Sequence, residues 1–98
     1  MWVRIGTFLV KDAEVEALRA TYLTRATPLV RAAPGNCGAL LLEPVAPGEP
    51  FIVMTLWETR AAGDAYEASG TAAEVVGLVR RYFAGPPSLS SYESSSVL

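Results

Sequence analysis

The chain has no histidine and no glutamine, one cysteine (Cys37) and one lysine (Lys11). Without imidazole there can be no Ser-His-Asp or Cys-His nucleophile system, no histidine-bound zinc or iron, and no haem on a proximal histidine. Two aspartates, Asp12 and Asp64, and eight scattered glutamates show no paired spacing of a carboxylate metal site. Neither a Gly-x-Gly-x-x-Gly run nor a Gly-Lys-Ser/Thr phosphate loop occurs, so nucleotide and flavin sites lack their motif. The expectation is a protein without cofactor or metal. A net charge of −2 with no Lys/Arg cluster argues against nucleic acid. No apolar run approaches the ~20 residues of a membrane span. A lone Cys37 cannot form an internal disulfide, and the N-terminus shows no basic leader or cleavage site; both fit a cytoplasmic protein.

What the chain has is apolar surface. Of its 98 residues 51% are hydrophobic and 18% charged, the composition of one globular domain spanning 1–98. Phe51 to Trp57 reads Phe-Ile-Val-Met-Thr-Leu-Trp. A half-buried strand alternates apolar and polar residues; here Phe51, Val53, Thr55 and Trp57 fall on one face and Ile52, Met54 and Leu56 on the other. Both faces need cover. Cys37 to Leu42 repeats the pattern.

Trp2 to Val10 reads as a first strand, rich in β-branched and aromatic residues. Asp12 is placed to cap a helix over about 13–33, with Glu14 and Glu16 in its first turn and Val15, Leu18, Tyr22, Leu29 and Val30 at helical spacing. Pro28 lies inside it and predicts a kink. Pro34-Gly35-Asn36 forms the turn out, with Gly35 or Asn36 suited to left-handed backbone. A second strand over 37–43 and a third over 51–58, joined through Pro47-Gly48, predict an antiparallel hairpin. Thr59 caps a helix over 60–68, and Ser69-Gly70 breaks it. Thr71-Ala72-Ala73-Glu74 reads as a capping box for a helix through Tyr82, stopped at Gly85-Pro86-Pro87. Ser88 to Val97 is a last, polar strand.

This order, β-α-β-β-α-β with the second helical segment broken, is an α+β ferredoxin-like arrangement: helices on one face of a four-stranded antiparallel sheet. Nothing is left to cover the other face. Two sheets packed face to face would bury it, which predicts a twofold homodimer.

Leu56-Trp57-Glu58-Thr59 followed by Ala65-Tyr66-Glu67-Ala68-Ser69, then Gly85-Pro86-Pro87 and Tyr92-Glu93, resembles the antibiotic biosynthesis monooxygenase family. Arg31-Ala32-Ala33-Pro34-Gly35 and the opening Val3-Arg4-Ile5 with Lys11 are similar to it as well. The resemblance covers nearly the whole chain and implies a dimeric α+β barrel. It implies one of several activities, among them cofactor-free oxygenation of aromatic polyketides or quinols and haem degradation. The haem-degrading branch needs a histidine, which is absent, and Gly6 lies near its first-strand Asn position. In the polyketide-oxygenase branch Trp57 matches; the Asn and Tyr positions hold Val53 and Gly63, and Arg80 is the nearest arginine.

The resulting expectation is a cofactor-independent monooxygenase acting on a flat phenolic, quinol or polyketide-like aromatic. The alternative is a non-catalytic homodimer binding a small aromatic or apolar ligand in the same cavity. Trp57 would stack on the substrate, Tyr66 would supply a phenol and Arg4 would hold a phenolate or oxyanion. Phe51, Val53 and Thr55 would wall the cavity with Trp57, and Tyr22 or Tyr66 would close it from the helices; otherwise this strand face forms the dimer core. The plainer readings are packing for Trp57, Tyr22 and Tyr66, a carboxylate partner for Arg4, a turn role for Asn36, a solvated face for Arg80-Arg81 and a buried Cys37.

Overall fold

In the computed structural model, which describes residues 1–96, the expected element order is present. β1 (Trp2–Phe8) leads through a 3-10 turn (Asp12–Glu14) into α1 (Val15–Thr21), a π turn (Tyr22–Ala26) and α2 (Thr27–Ala32). β2 (Asn36–Leu42) and β3 (Phe51–Trp57) follow, then α3 (Arg60–Ala68), α4 (Thr71–Val79) with a closing 3-10 turn (Arg80–Tyr82), and β4 (Ser88–Glu93). The four strands form one antiparallel sheet in the order β2-β3-β1-β4.

Several local expectations hold for the stated reason. β2 and β3 pair as a hairpin. Gly35 carries the left-handed turn at φ +80°, and the Thr59 hydroxyl accepts the Ala62 N–H at 3.1 Å as an N-cap. Others need correction. Asp12 makes no side-chain cap; the helix is entered through a 3-10 turn, with the Glu14 N–H donating to the Lys11 carbonyl at 2.8 Å. Thr71 is not the N-cap of α4. Gly70 occupies that place at φ +88°, and the Ser69 hydroxyl accepts the Thr71 N–H. Asn36 opens β2 instead of sitting in the turn, its amide donating to the Gly38 and Leu56 carbonyls across a bulge. That bulge turns Cys37 outward, so the thiol is exposed and not buried. β4 ends at Glu93, and Val97 lies outside the described residues.

At Pro28 the distortion sits one turn earlier and takes a defined form. The Thr27 N–H donates to the Tyr22 carbonyl, five residues back. A proline cannot donate to the carbonyl four residues earlier, and its ring crowds that carbonyl. Widening the preceding turn relieves the crowding without breaking the helix.

The register assigns the faces. Trp2, Arg4, Gly6 and Phe8 stand opposite Trp57, Thr55, Val53 and Phe51. These residues, with Ala39 and Leu41 of β2, face the helices. Leu18, Tyr22, Ala26 and Val30 come down from the first helix, and Tyr66, Val75 and Val79 from α3 and α4. On the opposite face Val3, Ile5, Ile52, Met54 and Leu56 are joined by Leu40 and Leu42, which are 46% and 40% exposed. Among the described residues no helix covers them.

Candidate functional site

A cleft of about 650 Å³ opens where α2 and its exit turn face α3 and the start of α4. Leu29, Ala32, Ala33, Pro34 and Gly35 form one side; Ala62, Ala65 and Tyr66 form the other, with Glu58, Ser69 and Thr71 at its edges. The cleft exists because the facing helices carry alanines where longer side chains would fill it. Gly35 lets the chain approach α3 closely: a Cβ there would lie 2.6 Å from the Ala62 Cβ, in a left-handed conformation besides. The Glu58 N–H donates to the Gly35 carbonyl at 2.8 Å and ties the end of β3 to that turn.

Behind the cleft wall lies the Trp57 indole, fully buried, with its ring centre 4.8 Å from that of Tyr66. Its N–H donates to the Thr55 hydroxyl at 2.9 Å, so it is already committed inside the protein. Gly63 allows α3 to rest on the two tryptophans of adjacent strands: a Cβ there would fall 2.7 Å from the Trp2 ring and 3.6 Å from that of Trp57. Arg4 is likewise committed. Its Nε lies 2.9 Å from Glu67 Oε1, and its Nη1 donates to the Ser91 hydroxyl at 3.3 Å, joining β1 to α3 and β4.

Not every buried polar atom is satisfied. The Tyr22 hydroxyl, the Thr27 hydroxyl and the Trp2 N–H are buried without a partner among the described residues. Burial raises the Tyr66 phenol to about 12, with Glu67 adding to the rise and Arg4 opposing it. Burial pushes the Tyr22 phenol higher still, and the neighbouring Tyr66 adds to it. Both phenols are therefore neutral hydrogen-bond donors at neutral pH.

All seven residues singled out from the sequence, Trp57, Tyr66, Arg4, Tyr22, Val53, Thr55 and Phe51, belong to the layer between helices and sheet. Only Tyr66 lines the cleft. Trp57 is in ring contact with it, Thr55 holds the indole, and Tyr22 lies deeper. Phe51, six residues along the strand and so ~20 Å from Trp57, packs against Phe8 at the other end. Val53 stands between, opposite Gly6 and Leu41. Glu58, Ser69, Thr71 and Gly35 were not singled out as site residues, yet they line the cleft. Strand parity could not have found Glu58, because β3 ends at Trp57 and the alternation no longer applies beyond it. Among the described residues no three His, Cys, Asp or Glu side chains converge as metal ligands. Among the described residues no helix is long and apolar enough to cross a membrane.

Comparison with functionally curated proteins gives no match. Solved structures match over nearly the whole chain. An antibiotic biosynthesis monooxygenase-family protein from Nitrosomonas europaea is 20% identical, with 98% of this chain and 100% of that one aligned at a TM-score of 0.81. A second, from Bordetella bronchiseptica, is 23% identical, with 97% of each chain aligned and a TM-score of 0.81. The haem degrader MhuD from Mycobacterium tuberculosis, solved with two haems in its active site, is 28% identical, with 100% of this chain and 99% of that one aligned at a TM-score of 0.80. Residues 1–77 match the family model for antibiotic biosynthesis monooxygenase, and the chain belongs to that family.

Proposed function

We propose that the chain is a cofactor-independent monooxygenase whose substrate is a flat phenolic, quinol or polyketide-like aromatic bound against Tyr66. The observation that carries this reading is the cleft itself: about 650 Å³, walled by alanine, leucine and proline, with one phenol and one carboxylate, Glu58, among its polar groups. Such a volume suits a ligand of two or three fused rings, and such walls disfavour a sugar or nucleotide. In the reaction, the deprotonated substrate is itself the reductant. A ring CH₂ becomes C=O, one atom of O₂ enters the product, and the other leaves as water with the two hydrogens. The protein orients the substrate, stabilises its oxyanion and keeps water out.

Haem, carried by the MhuD relative, does not fit the residues present. The chain offers no imidazole. Cys37, the one thiol, is exposed and outside the cleft. Oxygen-electrode measurements across hydroquinones, anthrones and simple phenols test the proposal. Uptake that scales with protein and disappears in Ala65→Phe, which fills the cleft, is the expected result. No uptake with any member of the panel, while a phenol still binds, would leave the reading of a non-catalytic binding protein.

The working unit in this reading is a homodimer, joined through the apolar sheet face that carries Ile5, Leu40, Met54 and Leu56. An interface of obligate type would bury ~2,000 Å² or more in total. Light scattering should give twice the chain mass. Met54→Asp should give a monomer, because a carboxylate at the centre of a dry interface is left without a partner.

A further inference from the structure

The cleft lining carries four polar side chains, Glu58, Tyr66, Ser69 and Thr71. Two of them are occupied with each other and with the backbone. The Ser69 hydroxyl donates to the Tyr66 carbonyl at 2.8 Å, accepts the Thr71 N–H and lies 3.0 Å from the Thr71 hydroxyl. The Glu58 carboxylate makes no ion pair among the described residues. The arginines near it along the chain are engaged elsewhere. Arg60 lies 3.5 Å from Asp64 and over the Trp2 ring, and Arg31 of α2 donates to the Asn36 side chain at 2.6 Å. Glu58 is nonetheless held in place, since its N–H is bonded to the Gly35 carbonyl at 2.8 Å. Its Oε2 lies 4.0 Å from the point where a Gly35 Cβ would stand. With no side chain at Gly35, the turn leaves the carboxylate uncovered on that side.

We infer that Glu58 is the base of the reaction: its carboxylate takes a proton from the ring CH₂ of an aromatic ketone bound in the cleft. This rests on the proposed function, with the cleft as the substrate site. Glu58 is the one carboxylate on an otherwise apolar lining, and a ligand seated against it displaces water from its inner side. Carboxylates act as bases toward a CH₂ conjugated with a carbonyl when a hydrogen-bond donor meets the enolate oxygen. Tyr66, on the same lining, is the phenol that can supply that donor. The helix rises about 9 Å from Arg60 to Tyr66, so base and donor enter the cleft at different places and bracket a molecule of several rings. In the step itself the C–H bond breaks, an O–H bond forms on Glu58, and the electron pair moves through the ring onto the carbonyl oxygen. Nothing is oxidised until the enolate meets O₂. The proton held on Glu58 is then one of the two that leave in water.

The test follows the proton with oxygen excluded. Anthrone, three fused rings with a CH₂ facing a carbonyl across the central ring, is the probe, and mass spectrometry reads the deuterium its CH₂ takes up from D₂O. Wild-type protein should accelerate that exchange over the rate without protein. Glu58→Gln should bind anthrone as wild type does, judged by quenching of tryptophan fluorescence, and lose the acceleration by about a hundredfold or more. Exchange at the wild-type rate in Glu58→Gln overturns the inference, as does a wild-type protein that binds anthrone without accelerating exchange. Glu58 also precedes α3 by two residues, where negative charge suits the helix dipole. If Glu58→Gln melts earlier while exchange per folded molecule is intact, that is its role and the inference is wrong. The wider reading fails separately. Exchange that depends on Glu58, with no oxygen uptake in air, keeps the base and removes the monooxygenase. Oxygen uptake on anthrone that is undiminished in Glu58→Gln keeps the monooxygenase and removes the base. Should Ala65→Phe bind anthrone as well as wild type, or wild type not bind it, the cleft falls and this inference with it.

Discussion

The two ends of β3 lie under the same helical layer and are built to different rules. At the Phe51 end, Phe8 stacks between Phe51 at 6.1 Å and Phe83 at 4.4 Å, three rings with no polar side-chain atom to satisfy. At the Trp57 end the rings are Trp2, Trp57 and Tyr66, and the layer also takes in Tyr22, Arg4 and Thr55. Some of those polar atoms are paired and some are not. The first end is optimised for packing alone. The second carries polar atoms in its core, some of them without partners, next to the wall of the cleft.

The largest effect should come from the rings themselves. Trp57→Ala and Phe51→Ala should each cost about 3–5 kcal/mol in urea unfolding, the range for deleting a large buried aromatic. Only Trp57→Ala should also abolish binding of the phenols used in the oxygen-uptake panel, since Tyr66 loses its backing. If Phe51→Ala abolishes binding in a protein that is still folded, the two ends are not separate regions. Next in size is Gly63→Ala. A Cβ 2.7 Å from the Trp2 ring forces α3 off the sheet, and overpacking of this kind costs about 1–3 kcal/mol. The same substitution at Gly77, where a Cβ meets nothing within 4 Å, should be neutral or slightly stabilising.

The smallest effect is absent at neutral pH and appears only in alkali. The Tyr66 phenol is raised from 10.0 to about 12 in the folded state, and that of Tyr22 is raised further. A raised phenol pKa means that the unfolded chain loses its proton first. The stabilisation is therefore complete below pH ~10 and is lost as pH rises through the folded values. Unfolding midpoints should fall steadily above that point, and the slope should be shallower in Tyr22→Phe and Tyr66→Phe. An equal slope in all three would mean that these phenols meet solvent, which would erase the contrast between the two ends.

Most of the fold was legible because it rests on periodicity. The strand alternation of Phe51–Trp57, the cap at Thr59 and the left-handed Gly35 are local signals that the structure repeats. The candidate site was legible in part. Tyr66 and Trp57 stood out as aromatics on apolar stripes, but their neighbours in the cleft come from three separate segments. Glu58 lies past the end of its strand, and Gly35 belongs to the cleft because α3 happens to pack 2.6 Å from its absent Cβ. The plainer reading of Arg4 includes a carboxylate partner, but that the partner is Glu67, and that Trp57 is bonded to Thr55, could not be seen. One joins residues two apart on a strand and the other residues 63 apart in sequence, and no pattern of residue types distinguishes a spent donor from a free one.

The π turn ahead of Pro28 has a consequence for how this helix could have been assembled. A helix that closes one turn with a bond to the fifth preceding carbonyl holds one residue more than the regular spiral needs. In an α-helix each residue advances the chain by about 100° around the axis. The widened turn absorbs the surplus residue locally, so Leu18, Tyr22, Ala26 and Val30 stay on one buried stripe across it. Removing a single exposed residue of the turn, such as Leu23, would restore regular winding and leave that stripe in line on both sides. Regular winding would also return the crowded carbonyl to Pro28, so the proline and the surplus residue form a matched pair, each tolerable because of the other. A deletion within the turn should therefore be tolerated well only when Pro28 is replaced at the same time.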